Sequence, residues 1–124
     1  MSSANRPQER PGDTRVLDCL YRVGAFVNAT EDPREALDFI LAEIVHSLNA
    51  SSASIALLEP TTGSLRIEVS NGLATDSIQQ VMAQGQGVTG WVALHARPLL
   101  IPDVSKDPRY IELRQGIRSE LAVP

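Results

Sequence analysis

Gly85, Gly87 and Gly90 form a G-x-G-x-x-G motif in the segment GQGVTG, which is followed by WVALHARPLLIPD. In dinucleotide-binding proteins this spacing lets a loop approach a pyrophosphate, and an acidic residue about 20 positions further on binds a ribose. Asp103 lies at roughly that distance from the motif. The glycines therefore either bind a nicotinamide cofactor or serve the fold.

The elements predicted around the motif argue against a dinucleotide site. That site needs a buried strand before the first glycine and a long crossover helix after the last. The preceding segment DSIQQVMAQ has a helical period instead, with Asp76 as cap and an apolar face of Ile78, Val81 and Met82. The following helix has only about seven residues, too few for a crossover. We interpret the glycines as structural, with positive φ at a sharp turn, close packing of a short helix on a sheet, and Gly85 as a helix C-cap.

Composition limits the functions that remain. The chain has 124 residues, which suits one small domain, and a formal net charge of −4. Scattered charges without a Lys/Arg run argue against a nucleic-acid partner. The apolar runs are too short and interrupted to span a bilayer, and the first residues lack the apolar core of a secretory signal, so a cytoplasmic location is expected. The single cysteine, Cys19, excludes an internal disulfide and a Cys-rich metal site.

Two helices are predicted before the first strand. Residues 1–13 are polar, contain two prolines and are expected to form a disordered leader. The first helix then carries a heptad-like apolar stripe, which is either a coiled-coil seam or a core face: Val16, Leu20, Val23 and Val27. In the second helix Asp32 is the expected N-cap, Pro33 suits the first helical position and Glu35 suits a capping box.

The hydrophobic period then changes to two residues. SASIALLEP and SLRIEVS are predicted to form a hairpin around the turn residues 60–63. PLLIPDV is predicted to be a short edge strand limited by its prolines, and SELAVP to begin another strand. Helices followed by antiparallel strands indicate an α+β domain over residues 14–124.

This order of elements resembles the GAF domain family. The residues that fall where the family pattern expects them lie in GQGVTGWVALHARPLLIPDVSKDPRY, before SELAVP: Gly87, Gly90, Trp91, Val92, Pro98, Asp103, Val104, Asp107, Pro108 and Tyr110. The resemblance covers roughly residues 16–124 and implies an antiparallel sheet flanked by helices. Family members normally continue into a further strand and a closing helix. The resemblance therefore implies a GAF domain that lacks its final strand or strands and its closing helix.

The resemblance also implies a function. It predicts a regulatory sensor module of a signal-transduction protein, which binds an unknown small ligand or relays a conformational change to a downstream effector. The alternatives within the family are a ligand-free dimerisation module and an enzyme that reduces free methionine sulfoxide with pocket cysteines. Because Cys19 stands alone, outside the expected pocket, we predict no enzyme and assign no catalytic residue. Flanking helices commonly form the dimer seam in this family, so the stripe from Val16 to Val27 is the candidate seam of a homodimer.

Five residues are candidates for the ligand pocket: Trp91, His95, Arg97, Asp103 and Tyr110. Trp91 is either a core plug beneath the short helix or a pocket wall, and His95 either packs on Trp91 or faces the pocket. Arg97, Asp103 and Lys106 are either charges at the pocket mouth or solvated loop charges. Neither histidine has a cysteine or carboxylate at ligand spacing, so no metal or other cofactor is expected.

Overall fold

The computed structural model describes residues 11–73 and 80–124. They belong to two compact units that divide between Ala50 and Ser51, the first helical and the second containing all the strands. The elements in chain order are α1 (Pro11–Ala29), α2 (Pro33–Leu48), β1 (Ala53–Glu59), β2 (Ser64–Asn71), β3 (Val81–Ala83), α3 (Gly87–His95), β4 (Leu99–Ile101), a 3-10 helix (Val104–Lys106) and β5 (Glu120–Ala122). Helices with antiparallel strands confirm the predicted α+β class.

The first unit is a pair of packed helices. α1 begins at Pro11, earlier than the predicted start at Thr14. The ring of Phe26 stacks on that of Phe39 in α2, with centroids 4.2 Å apart. Arg22 donates two hydrogen bonds to Glu43 Oε2, at 2.9 and 2.7 Å, which add an ion pair to this aromatic contact.

The apolar stripe predicted for α1 is divided in the structure. Val23 is half-buried and, with Cys19, shares the helix face of Phe26, which packs on α2. The other stripe residues are exposed, and two neighbours widen them into what we call the α1 apolar face: Val16, Leu17, Leu20, Tyr21 and Val27. The exposed face therefore lacks Val23 and includes Leu17 and Tyr21, because α1 is apolar over more of its circumference than one partner helix covers.

α2 starts with a side-chain cap. Asp32 Oδ1 accepts a hydrogen bond from the backbone N–H of Arg34 at 2.9 Å, and Pro33 occupies the first turn. Glu35 accepts from the hydroxyl of Thr30 at 3.0 Å, whereas a capping-box carboxylate would accept from the N–H of the cap residue. The backbone N–H of Asp32 donates to that same Thr30 hydroxyl, so Thr30 completes the network that the sequence assigned to Glu35.

Removal of the N-cap tests how much Asp32 contributes to the stability of α2. The variant Asp32→Ala is expected to lower the free energy of unfolding by about 1 kcal/mol, because one helix-end donor loses its acceptor. Urea denaturation followed by circular dichroism measures the change. Asp38→Ala, an exposed carboxylate within α2, is the control. An equal loss in both variants would contradict a specific role of the cap.

The strands of the second unit form two antiparallel sheets. The order of the larger sheet is β1-β2-β3, and the smaller consists of β4 and β5. β1 pairs with β2 from Ala53 opposite Asn71 to Glu59 opposite Ser64, with a bulge between Ile55 and Ala56. One face of the larger sheet holds most of its buried side chains: Leu65, Ile67, Val69 and Met82.

The segment before the glycine motif differs from the prediction. Residues Val81–Ala83 are a strand that pairs with Ser64–Arg66 of β2, not part of a helix. Met82 is buried while Val81 is exposed, which is the alternation of a strand. Two adjacent apolar residues fit either period, and the ladder to β2 decides between them. The predicted cap Asp76 and the helix residue Ile78 lie outside the described residues.

Candidate functional site

The glycine motif forms a tight turn between β3 and α3. Gly85 and Gly87 have φ values of +84° and +69°, which residues with a Cβ rarely adopt. A Cβ on Gly90 would lie 2.5 Å from the carbonyl oxygen of Ala83. Gly85 therefore follows a strand and caps no helix, and the motif holds α3 against the end of β3.

Three backbone amides of this turn donate within the turn itself. Gly85 N–H donates to the carbonyl of Gly90 at 2.7 Å, and Gln86 N–H donates to that of Ala83 at 3.1 Å. Gly90 N–H donates to the carbonyl of Gln86. A phosphate-binding loop instead directs its amides at the ligand, so this hydrogen-bonding favours the structural interpretation of the glycines.

Trp91 lies in a stack of planar groups. Its ring stacks on that of His95, one turn further along α3, with centroids 4.1 Å apart and planes 21° apart. His95 Nδ1 is 2.8 Å from the carbonyl oxygen of Trp91. The guanidinium carbon of Arg109 lies 5.0 Å from the Trp91 ring centroid, in range for a cation–π contact. Trp91 is half-buried, which places it between the two predicted roles of core plug and pocket wall.

Arg109 is oriented by a carboxylate two residues before it. Its Nε donates to Asp107 Oδ1 at 2.9 Å and its Nη2 to Oδ2 at 2.6 Å, and its backbone N–H also donates to Oδ1. These hydrogen bonds hold the pKa of Asp107 down at about 2 and raise that of Arg109. The pair therefore fixes the guanidinium that faces Trp91.

The Asp107–Arg109 pair predicts a pH dependence. Asp107 has a pKa of 3.8 when unperturbed and about 2 in the folded chain, so its charged form favours folding above pH 3.8. That contribution is lost as the pH falls through 2. We expect Asp107→Asn to be less stable than the wild type at pH 7, and the difference to shrink between pH 4 and pH 2, about the interval that the two pKa values bound.

Urea denaturation at a series of pH values measures this difference. Asp38→Asn, an exposed carboxylate on α2, serves as the control and should show no such convergence. A constant difference between Asp107→Asn and the wild type from pH 7 to pH 2 would contradict the role of the ion pair.

The inner side of the smaller sheet carries a carboxyl and a phenol. Glu120 is directly opposite Ile101 in the antiparallel pair, so their side chains share a face. Ile101 belongs to a buried cluster with Val88 and Val104, against which Tyr110 packs. Burial, followed by the negative charge of Asp107, raises the pKa of Glu120. Burial also raises the pKa of Tyr110, and the charge of Glu120 adds to this effect.

A cleft of about 360 Å³ opens beside β4. The side chains and backbone that line it come from the end of the strand and the 3-10 helix: Leu100, Ile101, Pro102, Asp103, Lys106 and Asp107. Asp103 caps the 3-10 helix, since its Oδ1 accepts from the N–H of Ser105 at 3.1 Å and from its hydroxyl at 2.6 Å. Lys106 Nζ is 3.8 Å from Asp103 Oδ2. The cleft thus combines an apolar wall with charges of both signs.

The predicted site residues occupy different parts of this region. Trp91 and His95 stack together, Asp103 lines the cleft and Tyr110 packs on the buried cluster, whereas Arg97 is an exposed residue between α3 and β4. Arg109 and Glu120 were missed as site residues by the sequence reasoning. The only sequence signal for Arg109 is its position two residues after Asp107. Glu120 could have been found from the alternation in SELAVP, which gives Glu120 and Ala122 the same face.

Residues 11–73 and 80–124 contain neither a metal-binding cluster nor a membrane-spanning helix. No group of three or more His, Cys, Asp or Glu side chains there could hold a metal ion. No helix in that part of the chain is long and apolar enough to cross a membrane.

A short helix fixed by glycines lies beside small antiparallel sheets in an α+β domain. The family model of the GAF domain matches residues 30–124. The chain belongs to the GAF domain family, as the glycine segment predicted.

The chain is also similar to part of a curated regulatory protein. The chain is 23% identical over 103 residues to the Nif-specific regulatory protein of Azospirillum lipoferum, a match that covers 82% of this chain and 16% of that protein. The chain therefore spans only a small part of the length of the curated relatives that it matches.

Two solved structures share the fold. The GAF domain of a phosphoenolpyruvate-protein phosphotransferase from Coxiella burnetii is similar with a TM-score of 0.82 and 20% identity, over 93% of this chain and 71% of that one. The free methionine-R-sulfoxide reductase of Neisseria meningitidis, solved with its substrate, is similar with a TM-score of 0.80 and 18% identity, over 100% and 72%. Identities this low show the fold only, so any argument about function must come from the residues of the site.

Proposed function

We propose that this GAF domain is a non-enzymatic regulatory sensor that binds a small molecule and relays binding to a downstream effector. The observation that carries the proposal is the cleft beside β4. Its volume of about 360 Å³ lies in the range of small-molecule sites, roughly 300–1,000 Å³. An apolar wall with a few charged groups is also the composition of such sites.

The cleft is connected to the stack on α3 through one residue. Asp107 lines the cleft and also holds Arg109, which faces Trp91. A ligand that competes for the Asp107 carboxylate would therefore release or reorient the guanidinium. This connection supplies a physical route by which occupancy of the cleft changes α3, and it makes Trp91 emission a reporter of binding.

The relatives support a regulatory role. The Nif-specific regulatory protein is named as a regulator, and the region matched is shared with this chain. We extend that role to this domain, as a cytoplasmic module without nucleic-acid or membrane contacts of its own. The net charge of −4 and the scattered charges argue against a nucleic-acid interface on this domain.

Ligand binding can be tested with the single tryptophan as reporter. Native mass spectrometry of the purified protein would detect a molecule that co-purifies and is lost on denaturation. A defined set of amino acids, nucleotides and carboxylic acids would then be titrated while Trp91 emission is recorded. Lys106→Ala should weaken any binding found, and Arg66→Ala, an exposed cation on β2, should not. No co-purified molecule and no emission change with any compound would contradict the sensor proposal.

Homodimerisation is a second candidate function, favoured by the α1 apolar face. All five of its large side chains are exposed, including Tyr21 at 78%. Such a face on a helix commonly marks an interaction site. We propose that two copies of the chain pair through it, with or without a ligand.

A sulfoxide reductase is the third alternative and the least supported. Cys19 is the only cysteine and lies on α1, in the helical unit, whereas the cleft and the stack lie in the other unit. A thiol redox cycle normally uses a second thiol to resolve the first oxidation product. Turnover of free methionine sulfoxide that survives Cys19→Ser would contradict the proposal that the domain is non-enzymatic.

A further inference from the structure

The segment from Val104 to Arg118 leaves the fold and returns to the same point. Val104 N–H donates to the carbonyl of Arg118 at 2.9 Å. Apart from the 3-10 turn at its start, the segment contains no helix or strand. A loop whose ends meet in this way is an Ω-loop, a type that is frequently functional. We call residues 104–118 the strap and the hydrogen bond between its ends the neck.

Side-chain contacts fasten the strap to the rest of its unit. Arg109 lies over Trp91 at 5.0 Å. The Ile111 side chain fills the space that a Cβ on Gly87 would need, at 2.9 Å. Arg114 Nη1 donates to the carbonyl of Ser51 at 2.6 Å. These anchors are exposed or half-exposed, and such contacts are individually weak.

The ion pair within the strap does not resist its opening. Asp107 and Arg109 both belong to the strap, so their bidentate hydrogen bonds would move with it. Lifting the strap would therefore break the stack on Trp91 but leave the salt bridge intact. Opening therefore costs less free energy than it would if the carboxylate that pairs with Arg109 lay outside the strap.

The strap covers the inner side of the smaller sheet. Its Tyr110 and Ile117 side chains pack against the buried cluster that contains Val88 and Ile101. Glu120 follows the neck and shares the face of Ile101. Of the strap residues only Val104, at the neck, is buried and belongs to this cluster, while Tyr110 and Ile117 are half-buried. Because the one buried side chain lies at the neck, about which the rest of the strap can move, the local stability of the strap is expected to be low compared with that of the larger sheet.

We propose that the strap opens as a unit about its neck, with Arg109 on Trp91 as the latch. Because Ile101, Lys106 and Asp107 line the cleft beside β4, opening would extend that cleft to the inner face of β4 and β5 and admit a small molecule there. The inference rests on the proposed function only for what is admitted, since the opening can be measured without any ligand. Loss of the latch should raise the open fraction while the larger sheet stays folded.

Tyrosine nitration with tetranitromethane tests the opening. The chain has two tyrosines. Tyr110 belongs to the strap and packs against the buried cluster, whereas Tyr21 is exposed on α1 and serves as the internal standard. In Arg109→Ala, nitration of Tyr110 relative to Tyr21 should accelerate about fivefold, the scale of a lost cation–π contact. Arg118→Ala removes an exposed arginine from the same strap and should leave the ratio unchanged.

Hydrogen exchange of the same variants separates local from global opening. In Arg109→Ala, amides of residues 107–117 should exchange faster while those of β1 and β2 keep the wild-type rate. In Arg109→Lys, which keeps the charge but loses the planar group, the exchange rate of these amides should lie between those of the wild type and Arg109→Ala. Arg114→Ala should also accelerate their exchange, because it removes the hydrogen bond to Ser51. Equal exchange in Arg109→Ala and Arg118→Ala, or faster exchange throughout the chain, would overturn the proposal. If the strap opens locally but the titrations find no ligand, the strap proposal is supported and the sensor proposal is contradicted.

Discussion

Alanine at Gly90 is expected to lower the free energy of unfolding by about 3 kcal/mol, the upper range for overpacking a tight site. The new Cβ would lie 2.5 Å from the carbonyl oxygen of Ala83 and 3.2 Å from the nitrogen of Gly85. Both neighbours are backbone, so neither can rotate away as a side chain would. The hydrogen bond from Gly85 N–H to the Gly90 carbonyl would be strained as well. Urea denaturation of the purified variant measures the loss.

Gly24→Ala is the matched control, because Gly24 is also helical and a Cβ there would meet nothing within 4 Å. Higher helix propensity should make that variant more stable by up to about 1 kcal/mol. A loss below about 1 kcal/mol for Gly90→Ala would mean that β3 shifts to make room. Tight NADH binding by the wild type that disappears in Gly90→Ala would instead favour the dinucleotide interpretation rejected above.

Aspartate at Leu20 is expected to weaken self-association at least about a hundredfold, since burying a leucine contributes about 1.5–3 kcal/mol and burying a carboxylate opposes association. Leu20 lies within the α1 apolar face and is 63% exposed in the single chain. Its substitution should therefore affect the dimer more than the fold. Sedimentation velocity across a dilution series measures the effect.

Leu48→Asp provides a control of nearly equal exposure, 62%, on α2. It should leave association near the wild-type value. If the wild type is a cooperative monomer at low micromolar concentration, the dimer proposal is wrong. If both variants dissociate equally, the contact surface is not specific to α1.

Local sequence signals predicted the parts of the fold that depend on neighbouring residues. The start of α2 follows from Asp32 and Pro33 because a cap is made within one turn. The β1–β2 hairpin follows from alternation around a turn. β3 was missed because a strand of three residues offers too short a pattern and is stabilised by its pairing with β2.

The candidate site was less accessible to sequence reasoning because its contacts join distant residues. Nothing near Trp91 in the sequence indicates that Arg109 faces its ring. The position of Glu120 depends on the register that sets it opposite Ile101. On α1, periodicity shows apolar residues on adjacent faces, but only the packing on α2 shows which of them, Val23, is half-buried there.

The neck of the strap also bears on how such domains diversify. One backbone hydrogen bond, between Val104 and Arg118, joins the ends, and the ion pair that shapes the loop lies wholly inside it. The entropic cost of closing a loop grows only slowly with its length. Insertions between Tyr110 and Ile117, which themselves pack on the buried cluster, should therefore leave the paired strands β4 and β5 undisturbed. Related domains could thus differ in the length and sequence of the strap while keeping the same pair of strands beneath it.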